Sequence, residues 1–397
     1  MLEGKSLIYF SPGTWDGLWR NRHQLMSVFA RHNKVLFVER RYHLRPMLAA
    51  FRRGDLELSD LRRPSLRRIS DNLSVFGYPV WAPISGRSPL KQLTRTVRRL
   101  SIQKALRRLQ MSQPIVWFSQ PEMLDLAHEM PPARLSIYHV VDEYSAYSGH
   151  TSASRHRTEE REQEMMAKVD AVVVVSKKLY EAKCPYNPHT YLVPNGVDYE
   201  AYTSALTEAY LPEDLCRIKK PRLGYSGLIG DRLHLTMLKG LAQENPHWSL
   251  VFLGEARVWQ QAATWESLLA LPNVHYLGLV AVSQVPYYLK GFQVGLLPYA
   301  LGRESENISP LKLYDYLAAG LPVASADIPA AREFSSYIHL ANGARNFAEA
   351  IRAALADTTP ERRQARRSVA AQHTWEARVE QLSDRIQERL TATAARQ

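Results

Sequence analysis

The stretch 306-ENISPLKLYDYLAAGLPVAS-325 sets a Glu, an Asn, a Lys and an Asp at the mouth of a helix whose later residues are apolar. Lys312 falls in the first turn expected for LKLYDYLAA, where a cation opposes the partial positive charge of the helix amino end. A bound anion would make that placement favourable. Asp315 follows at i+3, so both side chains can face one ligand; the alternative is a surface ion pair contributing about half a kcal/mol. A second candidate anion site is 227-GLIGDR-232, where Gly227 and Gly230 permit close backbone approach and Arg232 supplies a cation. The helix expected after it points its amino end at the loop. Gly254 and Glu255 end the apolar run 249-SLVFLGE, where a flat ring could lie against backbone.

Such groups act together only if strand ends bring them to one edge. Short apolar runs recur at 6-SLIYF, 34-KVLFVE, 73-LSVFG, 114-PIVWFS, 135-LSIYHVV, 171-AVVVVS and 190-TYLVP. A second set follows at 222-RLGYSG, 249-SLVFLG, 273-NVHYLG, 292-FQVGLLP and 321-LPVAS, with helical patterns such as 232-RLHLTMLKGLAQE between. Runs apolar on both faces belong to parallel sheets covered by helices. The chain of 397 residues is long for one core, and the alternation predicts two doubly wound α/β domains. We place them at 1–200 and 201–373, with a terminal amphipathic helix at 374–397 capped by Thr374 and carrying Trp375, Val379, Leu382, Ile386 and Leu390 on one stripe. This helix is expected to cross back to the first domain. Ligands of tandem α/β domains are expected in a cleft at the carboxyl ends of the strands.

Composition bounds the partners. No apolar run reaches the length of a membrane span, and Cys184 and Cys216 have no metal-ligand or CxxC spacing, which suits a reduced, cytoplasmic chain. From Arg41 to Arg108 sixteen Lys and Arg face four acids, an excess equal to the formal net charge of +12 of the whole chain. In 88-SPLKQLTRTVRRLSIQKALRRLQ, Leu90, Leu93, Val97 and Leu100 recur at helical spacing among arginines. That pattern fits either a helix packed on its own sheet by the apolar stripe or a basic amphipathic helix on an anionic membrane surface. Nucleic acid is disfavoured because no aromatic residue interleaves the basic ones of 88–110 and no recognition motif appears.

The segment SPLKLYDYLAAGLPV resembles the donor-binding segment of retaining GT-B glycosyltransferases, family 4 in particular. So do 193-VPNGVD-198 and the order GLIG, FLGE, VHYLG, LLPY, and the resemblance spans residues 190–370. A weaker likeness covers 15-WDGLWRNRHQLMSVFARHNKVLFVE and 138-YHVVDEYSAY. The resemblance implies a GT-B fold, two Rossmann-like domains facing across a cleft, and transfer of a sugar from a nucleotide-diphosphate sugar with retention. It implies that Asp315, in place of the usual Glu, binds the donor ribose. It also implies that the N–H groups of Ile308, Ser309 and Leu311 hold the diphosphate, and that Lys312 and Arg232 neutralise it. Asn307 stands where the family has a Glu for the sugar hydroxyls, with Glu306 as a substitute next door.

Acceptor candidates are Gly13, Trp15, Asp16, Arg22 and His23 in the loop 11-SPGTWDGLWRNRHQL. Trp15 and Trp19 there either stack on a sugar or pack. Asp142, past the strand-like 135-LSIYHVV, is the catalytic candidate of the first domain. An inverting reaction would need a general base, for which His139, Asp142 and His23 are available; His139, within that strand, also reads as a core residue. Gln120 stands where many members of the family carry a His. The acceptor implied is a lipid-linked or envelope saccharide, met by a protein peripheral on the inner face of the cell membrane. No cofactor or metal is expected, the nucleotide sugar being a co-substrate. A nucleotide-sugar epimerase on the same fold, and a non-catalytic nucleotide-sugar-binding protein, are the alternatives.

Overall fold

The structure is a computed structural model describing residues 1–39, 65–79, 90–127, 130, 132–146 and 151–394. The chain divides into two compact units, Met1–Val193 with Val379–Gln397, and Pro194–Arg378. Val197 and Thr374 form a parallel bridge, with Val197 N donating to His373 O at 2.9 Å and Trp375 N to Val197 O at 3.1 Å. Residues 194–200 are thereby tied into the second unit. The last helix, Trp375–Ala394, starts in the second unit, and its residues from Val379 belong to the first. Its five expected apolar residues are all buried, and Thr374 Oγ1 accepts from Ala377 N.

The first unit is built on an eight-stranded sheet of order β3-β4-β2-β1-β5-β6-β7-β8. Its strands are β1 Ser6–Phe10, β2 Lys34–Glu39, β3 Leu66–Arg68, β4 Leu73–Gly77, β5 Ile115–Phe118, β6 Leu135–Val140, β7 Ala171–Val174 and β8 Thr190–Leu192. All pair in parallel except β3 on β4. Chain order reverses between β1 and β5, which makes their carboxyl ends the switch point where α/β folds take ligands.

The basic helix forms over Leu90–Arg108, but its packing face differs from the expected stripe. Thr94, Arg98, Ile102, Ala105 and Leu106 are buried, whereas Leu93 and Leu100 are 59% and 53% exposed. The buried set shares one side of the helix at i, i+4, i+8, i+11 and i+12, and Leu93 and Leu100, seven apart, lie on the other. Ile102, Ala105 and Leu106 enter the sheet's core and fix the helix azimuth. The parts of the basic segment at 40–64 and 80–89 lie outside the described residues.

The second unit carries a six-stranded, wholly parallel sheet of order β13-β11-β9-β14-β15-β16. The strands are β9 Arg222–Ser226, β11 Ser249–Leu253, β13 Val274–Gly278, β14 Val294–Leu297, β15 Val323–Ala326 and β16 His339–Ala341. Here the reversal lies between β9 and β14. A two-residue parallel ladder joins β10, Ile229–Gly230, to β12, Ala256–Arg257, beyond the ends of β9 and β11.

The helix Leu311–Ala318 follows β14. At its carboxyl end, Arg367 Nη1 donates to Ala318 O at 3.1 Å and Arg366 Nη1 to Gly320 O at 3.4 Å. Two cations thus meet the negative end of the helix dipole. Arg366 is fully buried and paired with Asp357. Burial opposes ionisation of that carboxyl, but the hydrogen bond from Arg362 and the charge of Arg366 hold it at about 2.

Candidate functional site

At the second sheet's switch point three sequence candidates converge. Gly227 follows β9 with φ +131°, and Gly254 follows β11 with φ +136°, in a region L side chains rarely adopt. Their close approach is steric as well as conformational. A β carbon on Gly254 would lie 2.1 Å from Gly227 O, and one on Gly227 would lie 2.5 Å from Lys312 Cε and 2.7 Å from Nζ. The lysine therefore reaches from the first turn of its helix across the end of β9. Its Nζ also sits 5.0 Å from the centroid of the Tyr225 ring, a cation–π contact that orients the charge.

The remaining donor-side candidates surround this point. Ile229 N donates to Glu255 O at 2.9 Å, so the β10 and β12 ladder anchors both glycine loops. The Glu255 carboxylate pairs with Arg257 at 2.7 Å. Arg232, assigned from sequence to a phosphate, pairs with Glu304 at 2.8 Å, so a carboxylate already faces its charge. Glu306 is exposed, and Asn307 is buried with its Nδ2 donating to Arg303 O at 2.7 Å. Ile308 and Ser309 are buried and Leu311 half-buried.

Asn195, in the motif VPNGVD, was not singled out from sequence. Its Nδ2 donates to Ser309 O at 2.6 Å, and its own carbonyl accepts from Arg378 Nε at 3.1 Å. Ser309 is also hydrogen-bonded to Tyr314. The loop that presents the helix amino end is thus held at Ser309 by Asn195 and Tyr314, which fixes the first-turn N–H groups left without intrahelical partners.

Asp315 is half-buried, hydrogen-bonded to Tyr202 and within the field of Lys312. Burial raises its carboxyl from 3.8 to about 7, against the opposing effects of Tyr202 and Lys312. Tyr202 is missed by periodicity, because it reaches Asp315 from the distant helix Tyr199–Thr207.

The first-unit candidates divide into exposed and enclosed groups. Asp16 pairs with Arg67 at 2.7 Å, and Asp142 is half-buried just beyond β6. Gly13 lies against Arg22: a β carbon there would be 3.0 Å from Arg22 Nη2. Trp15 is buried in edge-on contact with Phe37, Trp19 and His23, which is the packing role rather than stacking on a ligand. His23 is 0% exposed. Its Nδ1 accepts from Arg20 N at 2.9 Å, and its Nε2 lies 3.4 Å from Thr14 O. Burial, with Arg22 nearby, lowers it to about 4, so it serves the loop and the helix start. His139 is buried beside Trp117 and lowered to about 4 by burial, as its strand position suggested. Glu39, also missed, is the buried carboxylate that organises this loop, accepting from Trp15 N at 3.1 Å and pairing with Arg67. Its only sequence signal is an acid ending the apolar run KVLFVE.

Because the folded protein holds the proton of Asp315 more tightly than the unfolded chain does, this group adds stability at acid pH. That contribution is lost as pH rises from 3.8 to about 7. Asp315→Asn should therefore flatten the fall in melting temperature between about pH 5 and pH 8. A fall as steep as in the unsubstituted protein would refute the burial of an ionisable Asp315.

Residues 234–384 match a family model described as glycosyl transferase-like. Over 137 residues the chain is 33% identical to a Bacillus subtilis (strain 168) protein named as the teichuronic acid biosynthesis glycosyltransferase TuaH, a match covering 34% of each chain. The chain thus spans about a third of the length of that curated relative. Among solved structures, sucrose-phosphate synthase from Thermosynechococcus elongatus superposes with a TM-score of 0.69 at 15% identity, covering 98% of this chain and 100% of that one. Alr3699/HepE of Anabaena, solved in complex with UDP and glucose, gives a TM-score of 0.66 at 14% identity, covering 97% and 100%. At these identities the likeness is one of fold. The chain therefore has the two-domain GT-B glycosyltransferase fold, with glycosyl transferase-like sequence over residues 234–384.

Proposed function

We propose that the protein is a glycosyltransferase that moves a sugar from a nucleotide-diphosphate sugar to a saccharide acceptor, with retention at the anomeric carbon. The observation that carries this reading is Lys312 laid across Gly227 beside Gly254, at the carboxyl ends of β9 and β11. Glycines that strip side chains from two strand ends leave backbone room for a flat or phosphorylated ligand. Beside them stand the Lys312 ammonium and a helix amino end, both suited to a diphosphate. As the sugar leaves through an oxocarbenium-like transition state, negative charge builds on the leaving phosphate. Preorganised N–H groups and the ammonium stabilise that charge as it forms. We assign Ile308, Ser309 and Leu311 to the diphosphate through their N–H groups and Asp315 to the ribose. In this reading Lys312 supplies the charge that a cation would otherwise bring. The first unit takes the acceptor, with Asp142 at its strand ends.

The acceptor we favour is lipid-linked, met at the cytoplasmic face of a membrane. The relative TuaH is named for teichuronic acid biosynthesis, and the helix Leu90–Arg108 presents Leu93 and Leu100 on its outer side with Arg99, Lys104, Arg107 and Arg108 exposed and no acid along its length. Apolar side chains flanked by cations suit an anionic lipid surface. No helix among the described residues is long and apolar enough to cross a membrane. Sedimentation with anionic vesicles should pull the protein down at low salt, and replacing Leu93 and Leu100 with Ser should release it. Equal binding to neutral vesicles, or no effect of the double replacement, would overturn the docking role.

The donor assignment is tested by nucleotide release from UDP, GDP, ADP and dTDP sugars in the presence of membranes. Lys312→Ala should lower kcat/KM by about 10- to 100-fold, the loss of one charge-assisted contact. Unchanged kinetics would refute the role given to the lysine. An altered sugar released without acceptor would instead mark an epimerase.

A further inference from the structure

We infer that the first unit binds an oxyanion of its ligand, a phosphate or a carboxylate, through Arg22 at the β1/β5 switch point. The inference rests on the reading of this unit as the acceptor side and narrows the acceptor to an anionic saccharide. At that edge Ser119 Oγ donates to Phe10 O at 2.7 Å, and Tyr144 OH donates to Ser119 O at 2.6 Å, which ties the ends of β1 and β5 together. Arg22 reaches this edge from the start of the helix Asn21–Phe29 and lies against Gly13, whose missing side chain leaves its guanidinium room.

Two observations mark the guanidinium as a receptor. Its Nε is buried and has no hydrogen-bond partner among the described residues. Among the described residues, the charged and titratable groups that interact with it are Tyr9, Arg20, Tyr144 and the neutral imidazole of His23, with no carboxylate. Three other enclosed cations among the described residues are satisfied internally, although Arg67, Arg155 and Arg389 also have a buried Nε without a hydrogen-bond partner. Lys183 meets Glu143 and Glu162, Arg366 meets Asp357, and Arg222 donates to the carbonyls of Ile218 and Gly291. The helix that carries Arg22 has no acid in its first turn, so its positive end adds to the charge there. An enclosed donor without a partner is costly, and a planar guanidinium matches an oxyanion bidentately. A neutral sugar hydroxyl offers neither the charge nor the paired oxygens.

Calorimetric titration of the full-length Lys312→Ala protein, with no donor present, isolates this site from the donor phosphate site. The probes are glucose 6-phosphate, glucuronate and glucose, which separate a phosphate from a carboxylate and both from a neutral sugar. At least one anionic sugar should bind about tenfold or more tightly than glucose, and adding Arg22→Gln should remove that advantage. Arg22→Lys, which keeps the charge and loses the fork, should fall between them. Circular dichroism checks folding, and if Arg22→Gln does not fold, weaker anion binding by Arg22→Lys decides in favour. Anions bound no better than glucose, or bound equally by the Arg22 variants, would overturn the inference. The donor reading is untouched by that outcome, since it stands or falls on turnover with Lys312 replaced.

Discussion

A β carbon at position 227 would lie 2.5 Å from Lys312 Cε, so the lysine crosses the end of β9 only because that residue is glycine. The same economy of space sets Gly254 against the carbonyl of Gly227. Once the strand ends are stripped in this way, the rest of the second unit has to hold one helix at a fixed height and angle. Asn195 and Tyr314 secure the loop before the helix. Tyr316 OH accepts from Ser226 N at 3.0 Å and locks the helix to the end of β9. Arg366 and Arg367 satisfy carbonyls at its far end. Restraint at both ends turns a short helix, which would be marginal alone, into a rigid support for a charge.

Cations are used differently in the two units. In the second, Arg232 and Arg366 face carboxylates, while Lys312 shares its surroundings with an Asp315 that burial holds near neutrality. A neighbour whose carboxyl is raised by burial offsets the lysine's charge less than an ordinary carboxylate would. In the first unit the partly enclosed Arg22 has, among the described residues, two phenols, a neutral imidazole and another cation in its field. Both switch points are therefore electropositive, by separate local means.

Much of this was legible in the sequence because it depends on local pattern. Runs apolar on both faces, such as KVLFVE and AVVVV, can only be central parallel strands, and glycines just past such runs mark the ends where ligands sit. Lys312 and Asp315 were legible from their place in a helix's first turns. What stayed hidden depends on contacts remote in the chain. Asn195 meets Ser309 across 114 residues, and Arg232 meets Glu304 across 72, and neither leaves a periodic trace. The azimuth of Leu90–Arg108 misled for another reason: its buried face includes Thr94 and Arg98, which a hydrophobic periodicity discounts. Trp15 and His23 looked like ligand groups from their loop position, yet Glu39 and Phe37 enclose them from the neighbouring strand.

The donor site is tested most directly by a crystal structure of the chain with a nucleoside diphosphate bound. The expected result is a diphosphate against the Gly227 backbone, with an oxygen in hydrogen-bonding distance of Lys312 Nζ. Density for the nucleotide away from the ends of β9 and β11, with Lys312 still lying on Gly227 and touching no phosphate, would contradict it.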